Sequence, residues 1–228
     1  MNRQMTRRGF LGGMSLATAG LAAGPLLLPR RLLGADAPSK KITLGFIGCG
    51  RQTYHANIPG FLKVAGVQCV AVCDVDAWRM EQTKQQVEKH YAKDTGGDFK
   101  GCKAYKDFRE LLADKSIDAV MISTQDHWHV PMAVAAVRAG KDVALEKPIT
   151  RYIDEGRLLA NEVVKHGRVF RVDSEFRSLE QMHRAAELVR NGRIGKVLAV
   201  RTGSPKEVFP NEAETISAAP PELDYDLC

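Results

Sequence analysis

The sequence predicts an open, doubly wound parallel α/β sheet, and three observations carry that expectation; the start of an incomplete second α/β domain after it is implied by a resemblance given below. Short, nearly continuous apolar runs recur along the chain, as strands covered by helices on both faces require. Segments of helical period separate them. The apolar runs end in glycine or in polar residues, the kind of group that meets ligands at the carboxyl ends of strands in such sheets.

The first strand is expected near 42–47 and runs into Gly48-Cys49-Gly50. A strand turning there into a helix presents unpaired N–H groups and the positive end of the helix dipole, a natural seat for a pyrophosphate. Glycines let the backbone turn sharply and approach the phosphates. Arg51 and Gln52 fall inside the same turn and are counted with it. Thr53 occupies the third slot of the G-x-G-x-x-G pattern, a β-branched residue where close helix–strand packing favours glycine.

The second strand, near 68–73, ends in Asp74, 24 residues after Gly50. A carboxylate there can accept both ribose hydroxyls and repels a 2′-phosphate, which favours NAD over NADP, with Arg51 pulling mildly the other way. The plainer reading is that Asp74 caps a helix starting near Asp76. A short strand is inferred near 103–105.

The strand near 118–123 leads into Ser123-Thr124-Gln125-Asp126-His127-Trp128-His129, whose hydroxyls and imidazoles would face the same edge. As a metal site it is poor: His127 and His129 diverge on a helix and no further ligand cluster accompanies them. Alternatively Asp126 caps the following helix and Trp128 packs its first turn. Val130, Ala133, Val134 and Val137 give that helix its apolar stripe, with Gly140 ending it.

The strand near 142–146 closes on Glu146-Lys147-Pro148. Lys147 is the candidate catalytic group: buried beside the sheet, its ammonium would hydrogen-bond a substrate hydroxyl and stabilise the alkoxide as hydride departs. The alternative is a surface lysine preceding a proline at the start of a helix. A last strand is expected near 168–172, then a helix whose stripe is Leu179, Met182, Ala186 and Val189, ending at Asn191-Gly192.

Residues 1–37 stand apart from this pattern. Thr6-Arg7-Arg8-Gly9-Phe10-Leu11 reads as a twin-arginine export signal, followed by an apolar run, Met14 to Leu28, that is short for a membrane span, and by a small-x-small site at Ala35-Asp36-Ala37. The expected destination is the periplasm or cell envelope. The segment supplies +4 of the formal +6 charge, so the remainder carries only +2, too little to propose nucleic-acid binding. The five cysteines lack any C-x-x-C spacing and read as mostly buried thiols, which suits folding in the cytoplasm before export with a nucleotide already bound.

Gly45-Phe-Ile-Gly-Cys-Gly50, Cys73-Asp74-Val75-Asp76, Ser123-Thr-Gln-Asp-His-Trp-His129 and Ala139-Gly-Lys-Asp-Val-Ala-Leu-Glu-Lys-Pro148 together resemble the Gfo/Idh/MocA oxidoreductases, in their exported, twin-arginine branch. The resemblance covers residues 41–204. It implies a Rossmann domain at 41–172 binding NAD, or less readily NADP, through Gly48, Gly50, Arg51, Gln52, Asp74, Ser123, Thr124, His129, Glu146 and Lys147. Lys147 would contact both cofactor and substrate, and His129 would line the nicotinamide side. Sugars or polyols are the implied substrates, and the full-length form is expected to be a homo-oligomer. Gln125 departs from the family's proline, and Thr53 from its small residue.

Residues 173–228 are expected to hold a connecting helix and the beginning of the family's substrate domain. Val197–Gly203 would be its first strand, and Leu223-Asp-Tyr-Asp-Leu227 would lead to the substrate side. Because the family's Asp and His partners for the lysine are missing, the chain is read as C-terminally truncated. Two other functions stay open: an NAD-dependent glycosidase that oxidises its sugar transiently, and a non-catalytic nucleotide- or sugar-binding module.

Overall fold

Six parallel strands line up in the order β3-β2-β1-β4-β5-β6. They are β1 (Ile42–Ile47), β2 (Val67–Cys73), β3 (Lys103–Tyr105), β4 (Ala119–Ile122), β5 (Asp142–Glu146) and β6 (Phe170–Asp173). Chain order reverses between β1 and β4, so a crevice opens beside the carboxyl end of β1, where ligands of such sheets bind. This computed structural model describes residues 40–95, 97–203 and 218–228, and residues 41–228 form one compact unit. The expected export signal, residues 1–37, lies outside the described residues.

The helices are α1 (Ile58–Phe61), α2 (Ala77–Thr95), α3 (Phe108–Ala113), α4 (Asp126–Arg138), α5 (Ile153–His166) and α6 (Glu180–Arg190). A π-helical turn, Thr53–Asn57, precedes α1. Alternation along each strand divides the core into two layers. Phe46, Val72 and Met121 pack with Ile58 and Val87 on one face. Ile47, Ile122 and Leu145 pack with Leu111, Val134 and Val137 on the other. Each such fully buried side chain stabilises the fold by about 1.5–3 kcal/mol, which explains why central strands read as continuous apolar runs.

Local rules set the helix starts. Asp107 caps α3 by accepting from Arg109 N. Glu155 turns back to accept from the N–H groups of Arg151 and Tyr152 ahead of α5. Gln125, not Asp126, is the N-cap of α4, and Asp126 is its first helical residue. There a carboxylate still meets the positive end of the dipole, without the cap bond expected of it.

Beyond β6 the expected helix forms and the expected strand does not. The stripe of α6 has the right spacing, yet Leu179, Met182 and Val189 are all exposed, because no described element packs over them. Residues 197–203 form no strand. An extended segment needs a neighbour to take its backbone N–H and C=O groups, and none stands beside it among the described residues.

Candidate functional site

The sheet register brings four strand ends to one level. Ile47 pairs with both Cys73 and Ile122, and Ile122 with Leu145, so Gly48, Asp74, Ser123 and Glu146 each follow a residue of one transverse row. Glu146 is in turn level with Asp173.

At the head of β1 the turn is built for glycine. Gly48 has φ +91°, and a Cβ there would lie 2.2 Å from the Ser123 carbonyl oxygen. At Gly50 a Cβ would meet only the Arg79 guanidinium, at 3.8 Å, so the missing side chain leaves open space on the cleft side. Residues 51 and 52 begin the helical segment, whose first N–H groups have no acceptor within the helix. The cradle therefore fits a pyrophosphate.

Thr53 is fully buried and donates its hydroxyl to the Gly48 carbonyl at 2.6 Å. The expected conflict with helix packing is absent, because the helix widens into the π-turn at this residue. Asn57, at the end of that turn, is buried and donates to Glu146 Oε1 at 3.2 Å, joining segments 89 residues apart. The sequence reading missed Asn57. No one-dimensional signal marks it, since its partner is set by the sheet order.

Asp74 accepts from the Cys49 N–H on one oxygen and from the Asp76 N–H on the other, at 2.8 Å. It thus ties the glycine turn to the end of β2. The capping role falls instead to Asp76, which accepts from Arg79 N at 3.0 Å. Burial holds the Asp74 carboxyl above the usual aspartate range, against the two backbone bonds that favour its charged form. A carboxylate has about four acceptor positions, so two remain for ribose hydroxyls.

These residues bound a cleft of about 580 Å³, within the size range of small-molecule sites. Gly48, Gly50, Arg51, Gln52, Asp74, Ser123 and Thr124 all line it. Three basic residues on its wall have acidic partners: Arg79 with Asp76, Lys106 with Asp224, and Arg109 with Asp107.

Three other expected residues are not in that lining. His129 is buried, with Nδ1 2.6 Å from the Pro148 carbonyl oxygen and Nε2 3.2 Å from that of Thr124. It clamps the loop after β4 to the loop after β5. Glu146 is likewise buried and engaged by Asn57 and by the Lys147 N–H. Lys147, followed by a cis peptide bond to Pro148, is exposed rather than buried beside the sheet. His129 and Glu146 thus contact the loops that carry Thr124 and Lys147.

Four cysteines are buried free thiols. Burial pushes Cys69, Cys73 and Cys102 up to about 12, as expected of inert core residues. No group of three or more metal-ligating side chains occurs among the described residues.

Comparison with known proteins gives this geometry its context. The family described as "Oxidoreductase family, NAD-binding Rossmann fold" matches residues 42–174, more than half of the chain. A glycosyl hydrolase family 109 protein from Parabacteroides distasonis is 28% identical over 208 residues, and an α-N-acetylgalactosaminidase from Tannerella forsythia is 26% identical over 212. Each alignment covers 85% of this chain and 43% of the relative, so the chain spans less than half the length of either. Among solved structures, myo-inositol 2-dehydrogenase from Lactobacillus plantarum superposes with a TM-score of 0.59 at 26% identity, over 69% of this chain and 43% of that one. The 3-ketoreductase KijD10 from Actinomadura kijaniata, solved with NADP, gives 0.60 at 21% identity, over 68% and 46%. That likeness is one of fold. The parallel sheet with its switch point beside β1, the glycine turn beneath Ser123 and the extent of the family match agree: the chain belongs to the Gfo/Idh/MocA family of oxidoreductases, with their NAD-binding Rossmann fold.

Proposed function

We propose that this chain forms the nucleotide-binding part of an enzyme that moves a hydride between a sugar or polyol carbinol and a nicotinamide, with NAD preferred to NADP. The observation that supports the reading is the row of strand ends at Gly48, Asp74 and Ser123, all of which line one cleft, where the glycine turn would cradle a phosphate and the carboxylate would meet a ribose. When bound, the nicotinamide ring would accept or return the hydride. The chain's own groups would do the rest. The N–H groups at 50–52 would hold the pyrophosphate, and Asp74 would take the ribose hydroxyls. Lys147, at the end of β5, would donate a hydrogen bond to the substrate oxygen and stabilise charge that develops there.

The preference for NAD rests on charge. Asp74 and Asp76 line the cleft and would repel a 2′-phosphate, and Arg79, Lys106 and Arg109 are paired with carboxylates, while Arg51 pulls mildly the other way.

Fluorescence titration with NADH and NADPH tests the reading. NADH is expected to bind at least about tenfold more tightly, a difference of about 1.4 kcal/mol. Its affinity should fall on acidification, beginning above the ordinary aspartate range, because protonated Asp74 loses acceptor capacity as pH drops through its raised value. Asp74→Asn should remove that pH dependence. Absence of binding at millimolar nucleotide would overturn the proposal.

A second reading has its own support. The glycosidase relatives align over 85% of the chain, well past the family's nucleotide-binding region at 42–174. In that case oxidation would be transient, serving elimination at the sugar. Free sugar released without net NADH would favour it, and stoichiometric NADH would favour a dehydrogenase.

A further inference from the structure

We propose that residues 220–228 form a strap across the nucleotide cleft that gates entry and release of the dinucleotide; the inference rests on the cofactor reading above. The strap is anchored on both sides of the crevice. On the β2 side Leu223 bridges Asp76 in antiparallel fashion, the Ala77 N–H donates to the Glu222 carbonyl at 3.0 Å, and the Asp224 N–H donates to the Val75 carbonyl at 3.0 Å. Lys106, just past β3, pairs with the Asp224 carboxylate. On the opposite side the Trp128 indole N–H, in the first turn of α4, donates to the Cys228 carbonyl at 2.8 Å.

The anchors therefore sit on three strand-end loops around the cleft. Pro220, Leu223 and Leu227 line that cleft together with Asp74. A ligand held by Asp74 would lie under these side chains, and the strap must lift before it can leave on that side. The strap does not fill the site, since the cleft of about 580 Å³ is bounded by it.

The anchors are also of the right strength for a gate. Lys106 is 60% exposed and the Trp128–Cys228 bond is at the surface. Exposed ion pairs and a few backbone bonds are individually weak, so the strap can open locally while the sheet stays folded.

The test is the dissociation rate of NADH, followed by stopped-flow fluorescence. Lys106→Asp and Asp224→Lys should each raise it about two- to fivefold, the range of an exposed ion pair. The double exchange should bring it back to within about twofold of the parent. Because Lys106 lines the cleft, that restoration separates anchoring from direct contact with the nucleotide. Asp224→Pro removes both the N–H given to Val75 and the carboxylate, at a φ of −79° that suits proline, and should raise the rate about tenfold. As an independent readout, bound NADH should slow hydrogen exchange at the amides of Ala77 and Asp224. Release at the parent rate from every variant, or a double exchange that restores nothing, overturns the gate while leaving the cofactor reading intact. If the parent chain binds neither NADH nor NADPH at millimolar levels, the cofactor reading falls and the gate with it.

Discussion

Gly48 and Gly50 occupy equivalent places in the motif, but what a side chain would meet differs, and so should the effect of adding one. At Gly48 the backbone has φ +91° and the Ser123 carbonyl would lie 2.2 Å from a Cβ, a rigid backbone obstacle. Holding alanine at that φ alone costs about 1–3 kcal/mol, and relief of the overlap must push β1 and β4 apart. Gly48→Ala should therefore lower unfolding free energy in urea by about 3 kcal/mol or more and weaken nucleotide binding as a secondary result. At Gly50 the same methyl group points into space near Arg79. Gly50→Ala should change stability by less than about 0.5 kcal/mol while reducing NADH affinity. An equal stability loss in the two variants would show that the turn is a packing device with no selective bearing on the cleft.

The π-turn is the element whose form was least readable from sequence. Thr53 looks like a misfit only if the helix after Gly50 is regular. With the wider turn, Thr53 is fully buried and its hydroxyl satisfies the Gly48 carbonyl, while Asn57 is carried to Glu146. Thr53→Val keeps the shape but leaves that carbonyl without the hydroxyl, so a loss of about 1–3 kcal/mol is expected in denaturant unfolding. An unchanged midpoint would mean that the bond contributes nothing net. Most strands, by contrast, were legible because burial on both faces demands continuous apolar runs, whereas three-residue β3, exposed or half-buried, entered only as a strand needed to complete the count before Glu146. Asp74 and the glycines were legible because local backbone rules fix them. The burial of His129 and Glu146 was not legible, for the opposite reason. Whether a polar side chain near a strand end faces a cleft or turns inward depends on a partner distant in the chain, the Pro148 carbonyl 19 residues from His129 and the Asn57 amide 89 residues from Glu146.

Across the whole molecule, apolar surface is unevenly covered. The sheet buries its central strands between two layers, whereas α6 exposes Leu179, Met182, Leu188 and Val189, and α5 exposes Ile153 and Val164. The helical period of α6 was therefore readable, and its burial was not, since period reports that a face is apolar and says nothing about what meets it. Contiguous exposed apolar residues on one helix face attract solvatochromic dyes and other apolar surfaces. The chain as described should accordingly enhance anilinonaphthalene sulfonate fluorescence in its native state. Met182→Glu and Val189→Lys together should reduce that signal several-fold. Both positions are exposed, at 47% and 42%, so the pair should leave urea stability within about 1 kcal/mol of the parent, about 0.5 for each surface change. A large loss of stability instead would mean that this face is packed in solution. An unchanged dye signal with unchanged stability would place the dye on another surface, with Ile153 and Val164 of α5 the next positions to alter.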